Sequence, residues 1–218
     1  MTPEETDAFI LANTVIGVDA FVPEISLHLA TEITPIWRAS EAWLNERNVE
    51  PPFWAFAWPG GLALARHIFD HPGLVAGKRV LDFAAGGGIA AIACAMMGAQ
   101  VEAADIDPIA QEAIRVNARL NGVDVTVAPG DVVGRAGRWD IVMCGDVCYE
   151  APMTGHIMPW LTRLTDTAEV WIADPGRSYL PTRGLEPFAS YHIATTLELE
   201  DRPFRDVGLY RLFPLAGG

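Results

Sequence analysis

Several carboxylates in this sequence fall where apolar runs give way to small residues. Asp82 lies in Val80-Leu81-Asp82-Phe83 and precedes Gly86-Gly87-Gly88; Asp105 follows Gln100–Ala104; Asp131 follows Pro129-Gly130; Asp146 opens Asp146-Val147-Cys148-Tyr149. A strand that hands over to a helix at such a turn leaves backbone N–H groups free at the helix start, and with the helix dipole these attract an anionic or polar ligand. Gly86 and Gly88 suit that turn because a Cβ would hold the ligand off the backbone and because tight turns use positive φ. Asp82 beside the turn would repel a pyrophosphate and suits a ligand with an ammonium group. S-adenosylmethionine carries that amine together with a carboxylate, a ribose diol and an adenine, so the spacing implies a methyl donor ahead of a dinucleotide.

The other acids extend this inventory. Asp105 ends its strand and is expected to accept both ribose hydroxyls, while Asp107, directly before Pro108, is expected to cap the next helix. Asp131 is expected either on the adenine amino group or in an Asp-turn of its own. Methyl transfer to nitrogen needs a neutral amine lone pair aimed in line, and the protein contributes alignment and desolvation. Asp146 can accept an N–H of such an amine and fix its direction, with Tyr149 as a second acceptor or wall; the competing role for Asp146 is a helix cap. Arg177, in Asp174-Pro175-Gly176-Arg177, could bind acidic substrate residues or cap a loop. Phe53, Trp54, Phe56 and Trp58 crowd the stretch PPFWAFAWPGG. That density suits either a lid over a cation, since aromatic faces attract cations, or a hydrophobic plug. Trp58, directly before a helix start at Pro59–Gly61, is the expected ligand contact.

These residues need a scaffold, and the pattern of the chain predicts one. Strands Arg79–Phe83, Gln100–Ala104, Val123–Ala128, Asp140–Cys144 and Glu169–Ala173 alternate with helices Gly87–Gly98, Pro108–Asn121 and Thr154–Thr165. That rhythm means a mostly parallel, Rossmann-like α/β sheet of seven strands with helices on both faces. The last third reads as a helix Pro181–Phe188, then strands Tyr191–Leu199 and Val207–Phe213 forming a C-terminal antiparallel hairpin. At the other end, Thr2–Ala12 reads as a short capped helix, Asn13–Pro23 as strand or loop, Pro23–Leu29 as a short extended piece and Pro35–Asn48 as a helix. Residues 1–50 are too few to hold a core of their own and are expected to pack as an extension on a domain spanning 51–218.

Composition narrows the class. The chain has 218 residues and a formal net charge of −13, and Lys78 is its only lysine. Without a basic stripe, nucleic acid is not an expected partner. An acidic surface favours a basic one, such as a lysine-bearing protein segment, or serves solubility. Cys94, Cys144 and Cys148 lack metal spacing, so no metal is expected, and their odd number suggests free thiols in a reducing compartment. The start has no signal-peptide pattern and the longest apolar run is too short for a bilayer, so no membrane association and a cytoplasmic location are expected.

Taken together, Trp58-Pro59-Gly60-Gly61, VLDFAAGGG, ADIDP, GDVCYE and DPGR resemble the family-16 group of seven-strand protein methyltransferases, from about Pro23 to Gly184. The resemblance implies S-adenosylmethionine at Asp82, Gly86 and Gly88, and an acid-x-x-aromatic active-site motif at Asp146 and Tyr149. It also implies a protein lysine as acceptor, with the electron transfer flavoprotein β-subunit as the expected partner and a ribosomal protein as the alternative. Ala84 stands where that group has its first glycine, and it is expected to keep a negative φ. The main rival is an NAD-dependent oxidoreductase, because Gly86-x-Gly88-x-x-Ala91 fits the dinucleotide fingerprint and Asp105 follows at a suitable distance. Asp82 beside the turn, the GDVCY element and the terminal hairpin oppose it.

Overall fold

The computed structural model describes residues 2–30, 52–196 and 200–214. Helix α1 (Pro3–Asn13) starts in a capping box: the Thr2 hydroxyl accepts from the Glu5 N–H, and the Glu5 carboxylate accepts from the Thr2 N–H. Strands β1 (Val15–Asp19) and β2 (Val22–Leu29) follow as an antiparallel pair in a sheet of their own. The helix expected at Pro35–Asn48 lies outside the described residues.

After the 3₁₀ turn Phe53–Ala55, helix α2 (Pro59–Asp70) leads into the alternating core. That core comprises β3 (Arg79–Phe83), α3 (Ile89–Met96), β4 (Gln100–Ala104), α4 (Pro108–Leu120), β5 (Thr126–Ala128), β6 (Ile141–Gly145), α5 (Ala151–Leu164), β7 (Glu169–Asp174), β8 (Leu185–Ala194) and β9 (Phe204–Leu212). The main sheet has seven strands in the order β5-β4-β3-β6-β7-β9-β8. Pairings from β5 through β7 are parallel, and those of β7 with β9 and of β9 with β8 are antiparallel. Strand order reverses between β3 and β6's neighbours, so the ends of β3 and β6 form the crevice where open α/β sheets bind ligands. One face carries a core of Leu62, Leu64, Ile68, Ile92, Ile114 and Trp171 under α2, α3 and α4; the other carries Leu81, Val142, Trp160, Leu161 and Ile172 under α5.

The fold class expected from the sequence holds, including the terminal hairpin, with local corrections to element bounds. The stretch read as a helix, Pro181–Phe188, instead enters β8 at Leu185. Pro187 is tolerated in this strand because it sits where the β8–β9 register shifts between Pro187 and Ala189, and at a bulge a missing N–H costs no ladder bond. Strand β5 is also shorter than expected, starting at Thr126.

One side chain ties the amino-terminal hairpin to the glycine turn. Asn117 on α4, 1% exposed, accepts from the His28 N–H at 2.8 Å and donates to the Gly87 carbonyl at 2.8 Å. Truncating it strands a buried donor and a buried acceptor, each costing about 1–3 kcal/mol. Asn117→Ala should therefore lower the unfolding free energy by about 2–4 kcal/mol, read as a lower urea midpoint at an unchanged denaturant slope.

Candidate active site

The glycine turn departs from the expected open nest of N–H groups. The Gly86 N–H donates to Asp105 Oδ2 at 2.9 Å, the Gly88 N–H to the Ala85 carbonyl, and the Ala91 N–H to Asp82 Oδ2 at 2.9 Å. Much of the donor capacity at the start of α3 is therefore spent inside the protein. Ligand recognition here falls to side chains and to the shape of the cleft. Gly86 and Gly88 have φ of 53° and 82°. Gly87 is required for another reason, since a Cβ there would meet the Trp54 carbonyl oxygen at 2.7 Å. Ala84 has φ 54°, not the negative value expected for it. Its methyl is carried in the left-handed region at a cost of about 1–2 kcal/mol, so the turn keeps the geometry that glycine ordinarily supplies.

Above this turn lies an open cleft with about 460 Å³ of empty space, mouth included. Leu27, Phe56, Trp58 and Ile89 give it apolar walls, and Asp82, Gly86 and Gly145 also line it. Trp58 is fixed there by its indole N–H, which donates to the Phe53 carbonyl at 2.8 Å, and by edge contacts with Phe53 and Phe56. Asp82 is 3% exposed. Burial pushes its carboxyl up to about 7; the Ala91 N–H opposes the rise and the nearby Asp105 adds to it. An incoming ammonium would offset the cost of ionising this buried carboxyl, so the lining suits a ligand that is cationic at one end and apolar along its body. Asp105 accepts from the Gly86 and Asp107 N–H groups and supports the turn from the end of β4; burial raises its carboxyl as well. Asp107 caps α4 through the Ile109 N–H. Asp131 is not among the residues that line the cleft; one oxygen closes an Asx turn on the Val133 N–H, and the other is 3.5 Å from His156.

A second group of residues gathers at the ends of β6 and β7. Asp146, at φ 56°, is held from two sides. Oδ2 accepts the Gly60 N–H at the start of α2; Oδ1 accepts from Arg177 Nε at 3.1 Å and Nη2 at 2.7 Å. Gly60 must be glycine, because a Cβ would press on Asp146 Oδ2 and lie 2.9 Å from the Ala173 carbonyl oxygen. Gly145 is equally confined, its missing Cβ facing the Gly61 nitrogen at 2.9 Å. Burial raises the Asp146 carboxyl to about 6, against the pull of Arg177 and the Gly60 N–H. Tyr149, 45% exposed, tilts against Phe53 with ring centroids 6.1 Å apart. The cleft and this second group thus share Gly145 and the aromatic segment before α2. Sequence reasoning missed Glu200, which pairs with Arg177 while 3% exposed, because in the linear chain it reads as one more charge in a polar turn.

A mostly parallel sheet of this order, with an acid-and-glycine turn beneath an apolar cleft, defines the class of S-adenosylmethionine-dependent methyltransferases. The chain is 37% identical to the electron transfer flavoprotein beta subunit lysine methyltransferase of Xenopus laevis, over 97% of this chain and 91% of that protein. The protein of the same name from Danio rerio is 33% identical over 93% and 81%. This chain belongs to the electron transfer flavoprotein beta subunit lysine methyltransferase family. The family model for ribosomal protein L11 methyltransferase (PrmA) matches residues 70–147. Among solved structures, the magnesium protoporphyrin IX methyltransferase of Synechocystis with bound donor shares the fold, at a TM-score of 0.50 and 20% identity over 70% of this chain and 77% of that one. Family membership removes the oxidoreductase alternative.

The electrostatics of Asp82 bear directly on binding of the donor. Its carboxyl titrates near 7, far above the ordinary 3.8, so at pH 6 most molecules must release a proton before the carboxylate can face an ammonium. Donor affinity measured by calorimetry should rise about fivefold from pH 6 to pH 7, with proton release visible as a dependence on buffer ionisation enthalpy. Asp82→Asn should bind more weakly and lose that pH dependence.

Proposed function

We propose that the protein methylates lysine side chains of the electron transfer flavoprotein β-subunit, with Asp146 as the carboxylate that receives the acceptor amine. The carrying observation is the position of Asp146: it caps the strand end that lines the cleft through Gly145, and its ionised form is favoured by Arg177 above about pH 6. The acceptor itself is taken from the relatives, which are named for it.

S-adenosylmethionine, when bound, supplies an electrophilic sulfonium methyl. In this reading Asp82 faces the amino end of the donor, Asp105 its ribose, and the Gly86–Gly88 turn lets it approach the backbone; Trp58 walls the cleft. Asp131 is left to its Asx turn. On the acceptor side, a lysine that has lost its proton to solvent presents an N–H to Asp146, which turns the nitrogen lone pair toward the cleft. Tyr149 and Phe53 form an aromatic wall beside that path, suited to a cationic side chain arriving from solvent. Alignment and exclusion of water are the protein's contribution, and no residue is needed as a nucleophile.

The net charge of −13 fits a lysine-rich partner surface. A ribosomal protein is the second reading, favoured by the match to the L11 methyltransferase model. That match ends one residue past Asp146, so it speaks for the donor half of the molecule more than for the acceptor. The same reading takes residues 1–50 as an extension packed on a catalytic domain of 51–218, supported by the hydrogen bonds of the Ser26 N–H to Asn121, the C-cap of α4, and of the His28 N–H to Asn117 within it. It also takes the reaction to be cytoplasmic, supported by free cysteines that are all buried. No helix among the described residues is long and apolar enough to cross a membrane.

Incubation with radiolabelled donor and purified electron transfer flavoprotein should label the β-subunit on lysine, located by peptide mass spectrometry; label on ribosomal protein alone would select the second reading. Asp146→Asn keeps an acceptor for the Gly60 N–H but loses the charge. It should lower the methylation rate by about 10²-fold while donor affinity stays within twofold of the original.

A further inference from the structure

Arg177 belongs to no part of the donor cleft, yet much of the polar structure at the sheet end converges on it. Asp174, at the end of β7, accepts from the Gly176 N–H at 2.7 Å and the Arg177 N–H at 2.6 Å through one oxygen. This Asx turn fixes the backbone from which the guanidinium projects. Two of its nitrogens then reach Asp146 Oδ1, and two reach the carboxylate of Glu200. Glu200 is in turn held by Arg205, whose Nε donates at 2.9 Å and whose Nη2 donates to the Glu200 carbonyl at 2.9 Å. The chain Asp146–Arg177–Glu200–Arg205 therefore runs from the acceptor side of the site into the start of β9.

We infer that Arg177 is a positioning residue for methyl transfer: suspended from the Asp174 turn and braced by Glu200, it aims the Asp146 carboxylate and keeps it charged. The inference deepens the reading of Asp146 given above and rests on it. The geometry is specific to arginine. A planar fork can bind two carboxylates at once, whereas an ammonium offers a point charge without fixed directions. A surface ion pair would leave Asp146 free to rotate, but here both of its oxygens are engaged, one by a helix start and one by the guanidinium. Buried chains of this kind add little to stability compared with apolar packing, which leaves orientation as the property they supply.

The charged and titratable groups facing Asp146 are Arg177, Glu200, Asp174 beyond the guanidinium, and the Cys148 thiol, whose ionisation both Asp146 and Asp174 oppose. Arg177 favours the Asp146 carboxylate and Glu200 disfavours it, so removing each should act in opposite directions. The test is the titration of the Asp146 carboxyl followed by carbon-13 NMR of aspartate-labelled protein, which needs no acceptor. Arg177→Met should raise the midpoint by about one pH unit or more, and Glu200→Gln should lower it. Arg177→Lys should leave it near the original value. In rate measurements with electron transfer flavoprotein, Arg177→Met should lower kcat about 10²-fold at pH 7 with partial recovery at pH 9, and Arg177→Lys should fall between. Donor affinity should be unchanged in all three. An Asp146 midpoint that moves in neither Arg177→Met nor Glu200→Gln overturns the inference; should Arg177→Met fail to fold, Glu200→Gln decides it by the same midpoint. An Asp146→Asn protein that methylates at the original rate would instead overturn the role given to Asp146, while a shifted midpoint would still stand as evidence of the coupling.

Discussion

Backbone packs on backbone where α2 begins, and the site depends on that contact. Gly60 and Gly61 approach Gly145 and Ala173 so closely that no Cβ fits at Gly60 or Gly145. The close approach lets the first N–H groups of α2 reach the end of β6, where Asp146 accepts one of them. An anion at a helix start is favourable in its own right, because the unsatisfied N–H groups and the dipole both point at it. The same contact carries the aromatic segment over the donor turn, so that Trp58 walls the cleft while Phe53 touches Tyr149. One steric constraint, two absent methyl groups, thus couples the two halves of the active site.

Four carboxylates crowd the strand ends, and the protein treats them differently. Asp105 and Asp174 are occupied by backbone N–H groups and hold turns in shape. Asp82 accepts from the Ala91 N–H on α3, and burial leaves it with a raised proton affinity. Asp146 takes two bonds from the Arg177 guanidinium, which opposes the rise that burial imposes on its carboxyl. Burial raises all four, and hydrogen-bond donors, the Arg177 guanidinium and neighbouring carboxylates modulate that rise. This division sets Asp82, in the cleft, apart from Asp146, held by a helix start and a guanidinium, at one end of the sheet.

Much of this was legible in the linear chain. The alternation of apolar runs with amphipathic stretches is local information, and so are the Thr2 and Asp107 caps; these elements formed as expected. The failures share a cause. Pro187 stands in a strand because the β8–β9 pairing tolerates it through a bulge, and Ala84 takes a left-handed φ because the turn around it is over-determined by the Gly86–Asp105 and Ala91–Asp82 bonds. Local preference lost to tertiary context in both places.

What the sequence determined by itself was the class of ligand: an acid, a glycine turn and a second acid at successive strand ends, each readable because turn geometry and strand period depend on near neighbours. Only the folded chain decided how the acceptor side is built. Gly60 meets Asp146 across 86 positions, Arg177 meets Asp146 across 31, and Glu200 meets Arg177 across 23. Such partners are chosen by the order of strands in the sheet, and a row of residues holds no record of that order, since pairing at this range is set by which edges pack and not by spacing.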